Sequence, residues 1–268
     1  MRFCPPPLTM FIISVMEILV YVIDTCSFKW DDMHFLWVST IFSFYFRKND
    51  STNDMICVIR PKLQYSHLER NQIWRFVTYM FVHSDFEHLF FNVFCQIGLG
   101  IALELVHCWW RVATVYMSGI LAASLAHSVL KPCVSLRGAS GGVYSIITAH
   151  VATIILNWHE MKYGTVQLLV FLIFCSSDIY SDVFLGTVGI SGVAHIFGAF
   201  AGILIGIGVL RNVRVKPYQQ KLWIASIAAY CALIFLGVCY NLNFVIIQKT
   251  QYNSTTFNCT KTFTSNST

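Results

Sequence analysis

The sequence predicts an all-α polytopic membrane protein, a six-helix bundle with a seventh transmembrane helix at the carboxyl end, and three observations predict it. Of its 268 residues 56% are hydrophobic and only 12% charged, a balance far outside that of soluble domains. Seven apolar runs come close to or reach the length of about 20 residues that crosses about 30 Å of hydrocarbon. The basic residues behind the formal charge of +5 sit mostly in the connections between those runs rather than along one solvated stripe, so they read as topology signals and not as a nucleic-acid surface.

The runs fall at approximately 8–28, 85–106, 110–130, 140–158, 165–186, 190–210 and 222–246. The first, LTMFIISVMEILVYVIDTCSF, lacks a basic start and carries Glu17 and Asp24, so it reads as a retained span and not as a cleaved signal. A long connection follows at 29–84. Its segment 30–52 is aromatic and reads as an interfacial helix or an insertion. No repeat or low-complexity tract appears, so the chain divides into a short cytoplasmic amino terminus (1–7), one integral domain (8–246) and a luminal or extracellular tail (247–268). The ten cysteines include no C-x-x-C pair and no Cys/His cluster at ligand spacing, so no metal or cofactor is expected. Cys95, Cys175, Cys231 and Cys239 lie in apolar runs and are expected to pack there.

Two signals set the orientation. RNVRVKPYQQK after the sixth run holds Arg211, Arg214, Lys216 and Lys221 with no acid, which places that connection in the cytoplasm. The tail then lies on the other side, where N-x-S/T glycosylation acceptors occur at Asn253, Asn258 and Asn266, with another at Asn49 in the long first connection.

Three segments carry chemistry. In RGASGGVYS, residues 137–145, Gly138, Gly141 and Gly142 bracket Ser140 where a polar loop turns into the fourth run, which sets the serine at or near a helix amino terminus. Backbone N–H groups there lack intrahelical partners and face a developing negative charge. Taken singly, a helix cap explains this serine better than catalysis does. In AHIFGAFAG, residues 194–202, His195 is an ionisable group inside a span, and Gly198 and Gly202 make a small-xxx-small face that matches Gly141 and Ser145 on the fourth run. Packing those faces brings His195 to Ser140, although a structural hydrogen bond to a neighbouring helix accounts for the histidine equally well. In HSDFEHLFFN, residues 83–92, His88 and Asn92 are spaced i, i+4 and project from one helix face, as two oxyanion donors must, or as interhelical glue. Glu17, Asp24, Asp178 and His150 are dispersed among the runs and read as helix-to-helix hydrogen bonds, and His127 and Arg137 flank the nucleophile's approach.

Together these segments resemble the rhomboid family of intramembrane serine proteases: HxxxN at 88–92, GASGG at 138–142 and AHxxGxxxG at 194–202 occur in the family's order. Trp74-Arg75 in the first connection and Glu104 beyond Asn92 fit further positions, and the likeness covers approximately 8–246. The resemblance implies Ser140 as nucleophile, His195 as general base and then acid, and His88, Asn92 and the Ser140 backbone N–H as oxyanion donors. It implies that Tyr144 stacks on His195, that Gly138 and Gly141 support the nucleophile, that Gly198 and Gly202 hold the fourth and sixth helices together, and that Trp74, Arg75 and Glu104 shape the first loop and a neighbouring helix end. The seventh span and GASGGVYSIITAHVATIILNW look like the animal secretory-pathway branch, in the Golgi or plasma membrane, whose substrates are single-span precursors such as growth factors of the epidermal growth factor type. The expected partners are such substrates and the lipid bilayer, with no nucleic acid. The competing readings are a catalytically silent relative that binds membrane clients, which would lack the serine or the histidine, and a seven-span receptor or transporter, of which a transporter would show paired halves.

Overall fold

In hydrocarbon every backbone N–H and C=O needs a partner within the protein, which makes the α-helix the natural form for an apolar run of this length. The runs fold accordingly in the computed structural model, which describes residues 6–25, 28–29, 46–48, 54–57, 59–171, 192–210 and 217–251. Helix α1 is Thr9–Thr25. A small antiparallel sheet follows, with strands β1 (Phe28–Lys29), β2 (Phe46–Lys48) and β3 (Asp54–Cys57) in the order β1-β3-β2, with Phe28 opposite Met55 and Arg47 opposite Ile56. Short helices α2 (Ile59–Leu63) and α3 (Arg75–Thr78) complete the first connection. Then come α4 (Phe86–His107), α5 (Trp109–Leu130), α6 (Ser140–Leu156), α7 (164–171), α8 (Gly192–Val209) and α9 (Pro217–Gln251).

Among the described residues, α4, α5, α8 and α9 are long and apolar enough to cross a membrane. Helices α1 and α6 have 17 residues each, shorter than the predicted 8–28 and 140–158. The fifth run is described only in its first residues, and Asp178, Arg211, Arg214, Lys216, Asn49, Asn253, Asn258 and Asn266 lie outside the described residues. The seventh span runs well past the expected 222–246 at both ends. It begins at Pro217, where a fixed φ and a missing N–H suit the first helical turn. Of the segment 30–52, expected as an interfacial helix or an insertion, Phe46–Lys48 is a strand, because pairing with Asp54–Cys57 supplies its backbone partners, and the rest lies outside the described residues.

The bundle centres on α5, α6 and α8. Buried Val112, Val115, Tyr116, Ile120 and Ala123 of α5, Ile146 and Ala149 of α6, and Ala194 and Ile205 of α8 share one apolar cluster. Helix α9 docks on the outside of α5: the Tyr230 hydroxyl donates to the Ser118 carbonyl at 3.1 Å and the Asn241 amide to Ser128 Oγ at 2.7 Å. Arg70 of the first loop reaches the same helix, donating to Asn241 Oδ1 and lying over the Phe244 ring. Cys108, at φ 72°, makes the sharp junction between α4 and α5. Cys108 and Cys133 are both disulfide-bonded, a feature the spacing of the cysteines did not reveal. They flank a 22-residue helix about 33 Å long, so they are not bonded to each other.

Candidate active site

Helix α6 begins at Ser140, two residues after Gly138, whose φ of 102° is one that residues with a Cβ rarely adopt. That turn drops the chain into the helix, and the Ala139 carbonyl accepts the first bonds, from Gly142 and Val143. The N–H groups at and just after the serine are therefore those that an α-helix leaves without intrahelical partners.

Close packing brings the histidine to the serine. A Cβ on Gly198 would collide with the Gly141 backbone, and one on Gly202 with the Ser145 backbone and Thr148. Only hydrogen at these positions lets α8 lie against α6, and Thr148 Oγ1 donates to the Ala199 carbonyl at 2.8 Å across the seam. The result is a hydrogen bond between Ser140 Oγ and His195 Nε2 of 2.9 Å, with both residues half-buried. Tyr144, one turn beyond the serine, stacks on the His195 ring with centroids 4.5 Å apart and 15° between planes. Ser140, Tyr144 and His195 thus form one contiguous unit on two helices.

Asp85 caps α4 by accepting from the His88 N–H at 2.8 Å, which starts the helix that carries both oxyanion candidates. The His88 ring lies against Gly138 so closely that a Cβ there would strike it. Asn92 is buried, and its amide donates one hydrogen back to the His88 carbonyl at 2.9 Å. His83 sits edge-on to His88 with ring centroids 5.2 Å apart. It is almost wholly buried, and this burial, reinforced by His88 beside it, holds its imidazole far below the usual range, at about 3.

The first loop supports the serine's lead-in segment through contacts the sequence did not disclose. Tyr65 and Leu136 exchange both backbone hydrogen bonds, at 3.1 and 3.2 Å, and the Gly138 N–H donates to the Tyr79 carbonyl at 3.2 Å. Tyr79 is itself anchored, its hydroxyl donating to the Ile120 carbonyl at 2.9 Å. Arg75 is buried, pairs with Glu69, and donates to Gln72 Oε1 and to the Gln64 carbonyl at 2.7 Å each, which ties the loop's turns together. Trp74 is more than half exposed and donates to the Lys62 carbonyl at 3.4 Å.

Glu104 supports a neighbouring helix end: its two carboxylate oxygens accept from the N–H groups of Thr9 and Met10 at 3.2 and 3.0 Å and so cap α1, because a helix start at a membrane boundary has unpaired donors that a carboxylate suits. Two expectations change. His127 does not flank an access route. It is fully buried, with Nε2 bonded to the Val134 carbonyl at 3.1 Å, and staples the turn after α5. Asp24 pairs with Arg60 of the first connection and not with another span. Glu17 and His150 do bond across helices, His150 to the Leu99 carbonyl at 3.3 Å.

A family profile described as the Rhomboid domain matches residues 70–212. The chain is 36% identical over 247 residues to "Rhomboid-related protein 2" of Mus musculus, covering 89% of this chain and 76% of that protein. It is 32% identical over 249 residues to "Rhomboid-related protein 3" of Homo sapiens, covering 89% of this chain and 57% of that one. It is also 27% identical over 247 residues to "Inactive rhomboid-related protein 2" of Caenorhabditis elegans, covering 89% and 64%. Relatives with names of both kinds, serine protease and inactive, thus align with this chain. A helical bundle of apolar spans, a profile match over most of it and relatives that align along nearly its whole length together make this chain a member of the rhomboid family.

Proposed function

We propose that this chain is a serine endopeptidase that cleaves single-span membrane proteins in or near their transmembrane segment. The observation that carries the proposal is the 2.9 Å hydrogen bond between Ser140 Oγ and His195 Nε2 at a helix amino terminus. In this reading Ser140 Oγ attacks the scissile carbonyl carbon while its proton passes to His195 Nε2. The same proton then goes to the nitrogen of the departing amine, leaving an acyl ester on Ser140 that water hydrolyses with His195 again as base. Tyr144 holds the imidazole plane, so no carboxylate is required to orient it. The oxyanion meets the N–H groups at the start of α6, with His88 supplying a side-chain donor from beside Gly138 and Asn92 a second from the same helix. Ester hydrolysis needs water, which the half-buried position of Ser140 and His195 permits.

The finer reading is a secretory-pathway protease in the Golgi or plasma membrane, with a cytoplasmic amino terminus, a luminal glycosylated tail and precursors of epidermal-growth-factor type among its substrates. The experiment is reconstitution of the purified chain in liposomes with a single-span reporter, beside Ser140→Ala. Cleavage by the first and none by the second is expected, and equal cleavage by both ends the proposal.

One observation favours a second reading, a silent client-binding protein: the relative named inactive aligns over 89% of this chain. A fluorophosphonate probe separates the two, since only an activated Ser140 is labelled.

A further inference from the structure

Beneath the serine, three helices contribute polar groups to one sealed cluster that the chemistry above does not use. Glu17 of α1 and Gln96 of α4 are fully buried, as are Ser14 of α1 and Tyr116 of α5. Gln96 opens the π-helical turn Gln96–Gly100, an interruption of the regular helix of the kind found at functional sites. The Gln96 amide donates to Ser14 Oγ at 3.1 Å and to Glu17 Oε2 at 3.2 Å. Tyr116 Oη lies 3.2 Å from Glu17 Oε1 and 3.2 Å from Gln96 Oε1.

The hydrogens at the contacts among Glu17, Gln96 and Tyr116 can be counted. The two on the Gln96 amide go to Ser14 and Glu17, and Tyr116 has one, yet its oxygen lies between two acceptors. With Glu17 ionised, a single phenol hydrogen has to serve two oxygens, and one acceptor is left unsatisfied where water does not reach. A neutral carboxylic acid supplies the missing hydrogen. Glu17 then donates to Tyr116 Oη, Tyr116 donates to Gln96 Oε1, and every contact has its own proton. The surroundings agree: among the described residues no cation pairs with Glu17, whose neighbours here are a hydroxyl, an amide and a phenol, and a lone carboxylate at this depth is costly.

The cluster bears on the serine through Tyr116. A Cβ on Gly142, two residues beyond Ser140, would overlap the Tyr116 ring, so the ring forms the floor on which the first turn of α6 rests. We infer that Glu17 is a neutral hydrogen-bond donor and a positioning residue, which holds Tyr116 against Gly142 and thereby seats the turn that carries Ser140. The positioning half of this inference rests on the proposed protease reading; the protonation half does not.

The test uses the full chain in liposomes as wild type, Ser140→Ala, Glu17→Gln and Glu17→Leu. Glutamine has both a donor and an acceptor in the places a neutral acid has them, so Glu17→Gln should cleave the reporter within about twofold of wild type. Leucine leaves Tyr116 and Gln96 without their partner, so Glu17→Leu should lower kcat roughly tenfold at nearly constant KM. Infrared difference spectra of wild type against Glu17→Gln should show the carbonyl stretch of a protonated acid, present also in the Ser140→Ala background. Equal loss of kcat in the glutamine and leucine variants, or full kcat in both, overturns the positioning role. Absence of the protonated-acid band overturns the neutral state even if Glu17→Leu fails to fold. Equal cleavage by wild type and Ser140→Ala instead removes the protease reading and leaves the infrared result to decide the protonation.

Discussion

Tyr144 lies flat on the His195 imidazole, 4.5 Å between centroids, one helical turn past the serine to which that imidazole is bonded. A dyad has no carboxylate to fix its base, so the stacked ring takes over the orienting task. Tyr144→Phe keeps the stacking surface and is expected to cleave a single-span reporter within about threefold of wild type, whereas Tyr144→Ala frees the ring and should lower kcat by roughly tenfold or more. Steady-state kinetics in liposomes check both.

Gly202 meets the Ser145 backbone with no room for a Cβ. Gly202→Val therefore forces α8 away from α6 and lengthens the path between His195 and Ser140. The expected result is a loss of stability of about 1–3 kcal/mol or more, together with loss of cleavage and of fluorophosphonate labelling. Gly98 has open space at its Cβ position, so Gly98→Ala is the control that should be neutral by thermal unfolding.

Burial holds His83 at about 3, well below its ordinary 6.5. Between these values the unfolded chain binds a proton there that the folded chain refuses. Stability contributed by neutral His83 is therefore fully present above pH 6.5 and falls as the pH drops toward about 3, by at most about 1.4 kcal/mol per pH unit. Thermal unfolding in detergent should show His83→Gln with a flatter acid limb than wild type.

Arg75 is buried with Glu69, Gln72 and Gln64 around it. Arg75→Ala leaves the Gln72 and Gln64 acceptors unmatched and the half-exposed Glu69 to water, and is expected to cost about 1–3 kcal/mol, with faster limited proteolysis in the first connection. Arg75→Lys has no planar fork to replace the two hydrogen bonds and should recover only part of the loss.

The sequence by itself determined that the chain spans a membrane, where helices α4, α5, α6 and α8 lie to within a few residues, and which serine, histidine and glycines belong together. These properties follow from local composition and short spacings: apolar length sets a span, and glycines four apart leave a helix face without side chains. Ser140 at the start of α6 and the paired faces Gly198/Gly202 and Gly141/Ser145 were legible for that reason. Only the tertiary structure decided that Glu104 caps α1, that Tyr65 pairs with Leu136 beside the serine, and that Glu17, Gln96 and Tyr116 share one set of protons. Those contacts join residues 20 to 99 positions apart, whose side chains bear no common spacing, and such partners are selected only when whole helices pack.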